Sequence, residues 1–119
     1  MKIRSKYRYL IFKMIGDKKL EIESEGPKEA TYSDFTKALP DDGCRYAVVD
    51  VPYTLPDGRA QSKLVFFHWA PDNGASVKDK MVYSSAKVAI KDRLAGTQRE
   101  VQANERDELD EATIVKLVQ

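Results

Sequence analysis

The segment "SKYRYLIFKMI", Ser5 to Ile15, is rich in aromatic and β-branched residues, and its apolar groups fall on both faces of an extended chain. A strand that alternates apolar and polar residues can leave one face in water; this one must be covered on both sides. That demand, more than any other feature, restricts the fold to a sheet with layers above and below it. The next segment, "LEIESEG" (Leu20 to Gly26), alternates apolar and acidic residues and suits an antiparallel partner reached through the turn "GDKK". "CRYAVVDVPY" (Cys44 to Tyr53) reads as a central strand. "TLPDGRAQ" carries Pro-Asp-Gly turn chemistry, and "SKLVFFHWA" (Ser62 to Ala70) is the return strand. "REVQAN" is a short last strand.

Helical signals stand between these strands. Thr31 or Ser33 can cap a short helix with Phe35 and Leu39 on one face. Ser76 can cap a long helix, with Asp79 three residues on, that runs to about Ala95 and ends at Gly96. "DELDEATIVKLV" reads as one final helix, acidic at its start and with Lys116 near its end, the order the helix dipole favours. The fold class expected is α/β (α+β), with helices on both faces of the sheet, built as a single domain over residues 1–119.

Composition narrows the functions. Twenty Lys and Arg against 19 Asp and Glu leave a formal net charge of +1, which argues against non-specific nucleic-acid binding. The single Cys44 cannot form an internal disulfide and fits a reducing compartment. No apolar run approaches the roughly 20 residues of a membrane span, and the charged N-terminus does not have the form of a signal peptide. His68, Cys44 and Trp69 with Phe66–Phe67 read as packed strand residues, and "ERDELDE" as a solvated helix start. No Cys/His cluster has metal-ligand spacing, and no nucleophile stands with a base, so neither metal, cofactor nor enzymatic activity is expected.

The long helix "KDKMVYSSAKVAIKDRL" carries more than a core face. On a helical wheel Val82, Tyr83, Ala86, Ala89, Ile90 and Leu94 share an arc of roughly 140°. Lys80, Lys87 and Lys91 fall within roughly 40° of one another. Beside that row lie Val77, Met81, Ser84 and Val88, a second apolar strip off the core face. Such a strip is either a solvated face or a partner surface, with Met and Val filling a groove and ammonium groups meeting acidic rims.

At this point the sequence resembles a family. "KDKMVYSSAKVAIKDRLAG" is similar to the long-helix signature of the actin-depolymerising factor/cofilin family, close to K-M-x-Y-A-S-S-K followed by L-x-G. "KYRYLIFKM", "TYSDFTKALPDDGCRYAVVDVPY", "SKLVFFHWAPD" and "VQAN" resemble the family's other segments in the same order, over nearly all of the chain. The resemblance implies the ADF-homology fold, a mixed five- or six-stranded sheet between helices. It implies a non-enzymatic actin-binding protein that binds monomers, preferring the ADP form, and filaments, and promotes severing and depolymerisation. It places the protein in the cytoplasm at the actin cytoskeleton, with nuclear entry open to it, as a monomer. Residue by residue, it assigns monomer binding to Lys78, Lys80, Met81, Ser84, Lys87, Val88 and Lys91. Filament binding falls to Arg59, Lys63 and Lys116, and weak phosphoinositide binding to Lys78, Lys80 and Lys87. An alternative within the fold is an interaction module like glia maturation factor, directed at the actin-related nucleating complex.

The sequence also departs from the family pattern. Family members open with a flexible segment carrying a regulatory serine and then a helix; Met1 falls near that helix's end, and Ser5 is not that serine. The expectation is that phosphoregulation is lost, that part of one sheet face over Tyr7 to Met14 is less covered than in relatives, and that stability is lower than in a full-length relative, with self-association left open. Val88 stands where many relatives carry aspartate, and Asp92 where a basic residue is common. With few basic groups near the C-terminus, these departures point to weakened filament binding.

Overall fold

The computed structural model describes residues 7–15, 19–72, 74–93 and 99–118. Among them five strands form one sheet in the order β2–β1–β3–β4–β5. They are β1 (Tyr7–Ile15), β2 (Lys19–Pro27), β3 (Arg45–Thr54), β4 (Ala60–Trp69) and β5 (Arg99–Ala103). The first four pair antiparallel, with β3 and β4 in register from Arg45↔Trp69 to Thr54↔Ala60, the hairpin expected from residues 44 to 70. β5 runs parallel to β4, so the sheet is mixed. The helices are α1 (Tyr32–Ala38), α2 (Val77–Arg93) and α3 (Glu111–Val118), with a 3₁₀ turn at Arg106–Leu109.

The two-residue period of the strands sorts the core into two layers. Tyr9, Ile11, Val49, Val51, Val65 and Phe67 cluster with Phe35 and Leu39 from the α1 region, Leu109, and Ile114 of α3. Leu10, Phe12, Val48, Leu64 and Phe66 face the other way and cluster with Tyr83 and Ile90 of α2. Both faces of β1 are therefore used, as its composition requires.

On the α2 face of β1, Leu10, Phe12 and Met14 are all buried. Tyr83 packs over this face, its hydroxyl oxygen accepting the Met14 N–H at 2.9 Å while the Tyr46 hydroxyl donates to the Tyr83 carbonyl. Exposure appears one strand further out, at Ile22 of the edge strand β2, which is paired with Phe12 and half exposed.

Local chemistry sets the element ends. Thr31 is the α1 cap: its hydroxyl oxygen accepts the Asp34 N–H at 3.1 Å, and the Asp34 carboxylate accepts the Thr31 N–H at 3.0 Å. Ser76 Oγ accepts the Asp79 N–H at 3.1 Å at the start of α2, as the spacing predicts. The single final helix expected over residues 107–118 is instead two elements. Asp110 breaks it, because its carboxylate accepts the Thr113 N–H at 3.3 Å and starts α3 afresh. Gly26 lies against the ring of Tyr9, where an added Cβ would fall 2.0 Å from the nearest ring carbon. The β3–β4 turn uses Gly58 at φ +93°. Ser5, Leu94, Ala95 and Gly96, which carried sequence expectations, lie outside the described residues.

"ERDELDE" is more than a solvated start. The Arg106 guanidinium donates to the carbonyls of Thr36 and Leu39 and to the Asp41 carboxylate, and lies 5.4 Å from the centroid of the Trp69 ring. One side chain thus ties the end of α1 to β4 and the 3₁₀ turn.

Candidate functional site

α2 is the crossover between the parallel strands β4 and β5, and it lies on the Phe66 face of the sheet. Its buried stripe is narrower than the wheel predicts, and it is turned toward the lysines. Tyr83 and Ile90 are buried and Val82 and Ala86 half-buried, but Ala89 is exposed. On the other flank Lys80, Lys87 and Lys91 are half-buried. The reason is reach: long lysine stems lie along the sheet edge while their ammonium groups find acids beyond it.

Those acids come from outside the helix. Lys80 Nζ is 3.3 Å from Asp72 Oδ1 and donates to the Asp72 carbonyl at 3.1 Å. Lys87 Nζ is 3.0 Å from Glu100 Oε1, and Lys91 Nζ is 3.1 Å from Glu100 Oε2. Register puts Glu100 there, since it stands opposite Phe66 on β5 and shares the face that α2 covers. The Lys87 hydrogen bond, the largest influence, holds the Glu100 carboxyl below the usual glutamate value; burial opposes it, and the Lys91 hydrogen bond and the charges of both lysines add to the lowering. Under this pair His68 is 1% exposed, with neither ring nitrogen hydrogen-bonded among the described residues. Burial, with the Lys87 ammonium adding to it, pushes the imidazole down to about 4, so it is neutral near pH 7.

Beyond the lysines the second strip is open. Val77 is 75% exposed, Met81 66% and Val88 69%, and Ser84 is exposed between them. Lys78 is exposed too, but it is about 160° around the helix from Lys80. There it lines a cleft with Lys13, Arg45 and Tyr83. The residues expected to bind a monomer thus form one continuous surface apart from Lys78, which stands on the far side.

The second predicted set lies elsewhere. Arg59, in the β3–β4 turn, pairs with Asp57 at 2.8 Å. Lys63 stands opposite Val51, on the α3 face of the sheet, with its Nζ 5.5 Å from the centroid of the Tyr53 ring. Lys116 is exposed on α3. Lys63 and α3 therefore share the face opposite α2.

Sequence reasoning missed Asp72 and Glu100 as partners of the lysine row; their only signal was position, as acids flanking the helix. A concavity of about 670 Å³ between α1 and the start of α3 holds none of the predicted residues. Among the described residues no group of three or more His, Cys, Asp or Glu could hold a metal ion, and no helix is long and apolar enough to cross a membrane.

A half-buried helix with an open apolar strip and a cationic rim, on a mixed sheet packed on both faces, defines a protein that binds another protein. Comparison with known proteins gives the class its identity. The sequence model of the family described as "Cofilin/tropomyosin-type actin-binding protein" matches residues 1–119. The actophorin of Entamoeba histolytica is 43% identical over 110 residues, covering 92% of this chain and 78% of that protein. Actin-depolymerizing factor 8 of Arabidopsis thaliana is 41% identical over 112 residues, with the same coverage. The crystal structure of Streptomyces griseoflavus cofilin superposes with a TM-score of 0.83 at 32% identity, over 93% of this chain and 81% of that one. The chain belongs to the actin-depolymerising factor/cofilin family of actin-binding proteins.

Proposed function

We propose that α2 is the actin-monomer contact, formed by Lys80, Met81, Ser84, Lys87, Val88 and Lys91, with Lys78 standing apart from that surface, and that the chain works as one ADF-homology unit. The observation that carries this reading is the open strip of Val77, Met81 and Val88 beside the lysine row, on the segment that matches the family's long-helix signature. The apolar groups supply desolvated area, and the lysines supply steering and rim pairs. Arg59, Lys63 and Lys116, away from α2, form the second contact that filament binding requires. With two such surfaces the protein binds monomers, preferring the ADP form, and filaments, and promotes severing and depolymerisation at the cytoplasmic actin cytoskeleton. Phosphoinositide binding is weak on this reading, because Lys80 and Lys87 already have acidic partners and Lys78 stands apart from them.

The test is actin co-sedimentation with a pyrene-actin disassembly assay, alongside a pull-down against the actin-related nucleating complex. Binding and faster disassembly on actin alone support the reading. Capture of that complex without actin binding would move the protein to the interaction-module class.

A further inference from the structure

α1 and α3 pack on the sheet face opposite α2, and two hollows lie along their seam. The larger, about 670 Å³, draws its acids from Asp107, Asp110 and Glu111. The smaller, about 300 Å³, draws them from Glu29, Asp50 and Glu111. Tyr32 and Glu111 line both, which makes the hollows two lobes of one groove. Five carboxylates stand there against the two guanidinium groups of Arg8 and Arg106, so negative charge prevails. Both guanidinium groups are already engaged. Arg8 donates to the carbonyls of Lys28, Ala30 and Asp50, and Arg106 to those of Thr36 and Leu39 and to the Asp41 carboxylate. Asp110 is engaged too, as the cap of α3. The exposed carboxylates of Glu29, Asp107 and Glu111 have no hydrogen bond or ion pair among the described residues.

A second observation points the same way. Tyr32 is 7% exposed, and its buried hydroxyl has no hydrogen-bond partner among the described residues. Such a group costs the fold stability and marks a place that a partner can fill. Burial first, then the charges of Glu111 and Asp110, raise its pKa above the ordinary tyrosine value, so it keeps its proton. Its oxygen still has lone pairs to accept an N–H donor.

We propose that the seam of α1 and α3 is a separate docking groove for a basic segment of a partner protein, which lays a Lys or Arg side chain in each lobe with Glu111 and the Tyr32 hydroxyl between them. Unpaired carboxylates beside an unpaired hydroxyl acceptor call for a cation with several N–H donors, which is what ammonium and guanidinium groups supply. The acids are not gathered closely enough to hold a metal ion. The exposed acids leave the groove open along the seam, and the larger lobe exceeds the size of one ammonium or guanidinium group, so the cations that fill it arrive joined on a peptide. Because the groove and α2 occupy opposite faces of the sheet, one can be filled while the other is in use. The inference does not depend on what α2 binds.

The experiment titrates the full chain into a short fluorescein-labelled peptide of alternating arginine and serine and follows anisotropy across a salt series. Backbone amide shifts are mapped by NMR on the same mixture, and melting temperatures are measured for each variant. The expected result is saturable binding that weakens with salt, with shifts gathered over residues 29–36 and 107–113 and none along α2. Asp107→Asn with Glu111→Gln should raise the Kd by about fivefold or more. Glu21→Gln with Glu25→Gln removes the same charge from the edge strand β2 and should leave the Kd unchanged. Tyr32→Phe should raise the Kd by about twofold or more while the melting temperature holds or rises, because the hydroxyl it removes has no partner in the free chain. A hydroxyl that serves packing alone would not produce that split. Absence of saturable binding, an Asp107→Asn, Glu111→Gln variant that binds as the wild type does, or amide shifts centred on α2 would each overturn the inference. So would an unchanged Kd for Tyr32→Phe. Displacement of the peptide by an equal concentration of spermidine would make the groove a small-cation site and overturn the assignment to a protein partner. No readout involves actin, so failure of the actin reading would leave this result standing.

Discussion

Lys87 of α2 and Glu100 of β5 meet at 3.0 Å across the gap between helix and sheet edge, and the other oxygen of the same carboxylate holds Lys91. The cations expected to greet a partner are thus already engaged within the chain, and a partner's acid must compete for them or share them. Glu100→Gln removes that competitor. It should increase the actin association rate and make that rate more sensitive to salt, because two ammonium groups become available for steering. Stopped-flow association across a salt series checks this; a rate unchanged at low salt would show that these lysines take no part in encounter. The pair is part-exposed, so the stability loss should stay below about 1 kcal/mol.

Lys80→Ala with Lys87→Ala should cut actin binding sharply, by about 2–5 kcal/mol if the pairs they form in the complex are desolvated. Each lysine also gives up an intrachain pair with Asp72 or Glu100, but such pairs are worth about 0–1 kcal/mol. Thermal melts should therefore move by only a few degrees while co-sedimentation fails. Normal binding by this double variant would reduce the row to a solvated face.

Ile90→Ala should do the reverse. Ile90 is buried against the sheet with Tyr83, and truncation leaves a cavity costing roughly 2–5 kcal/mol. Denaturant unfolding measures that loss, and the fraction still folded should bind actin with wild-type affinity.

His68 gives stability a pH dependence. Its folded value is depressed to about 4 from an ordinary 6.5, so between those values the unfolded chain holds a proton that the folded chain does not. Stability from this group is fully present above about pH 6.5 and falls as the pH drops toward 4, by on the order of 3 kcal/mol. His68→Phe should flatten that part of the curve. Glu100 adds a loss in the same direction at lower pH, since its depressed carboxyl stabilises the fold only while ionised. Urea midpoints measured from pH 4 to 8 for both chains separate the two; an equally steep curve for His68→Phe would rule His68 out.

The sequence was most readable where local composition and burial agree. The two-sided apolar run of β1, the Pro-Asp-Gly hairpin and the Ser76 cap could each be read from neighbouring residues alone. The open strip of Val77, Met81 and Val88 was readable for the same reason, since helical geometry relates those positions. Long-range partners were not. Nothing near Lys87 announces Glu100, and nothing near Arg106 announces Thr36, Leu39 and Asp41, because register and chain reversal bring them together. The break at Asp110 was hidden because its cap looks, in sequence, like one more acid in a helical first turn.

The crossover position of α2 has a mechanical consequence. The helix joins two strands that pair with each other, its inner stripe packs on the sheet, and its lysines are fastened to the strand that follows it and the loop that precedes it. A surface carried on such an element reaches its target already ordered. The entropy lost when a flexible segment settles onto a partner has been removed during folding, and what remains to oppose docking is rigid-body freedom and the water to be displaced.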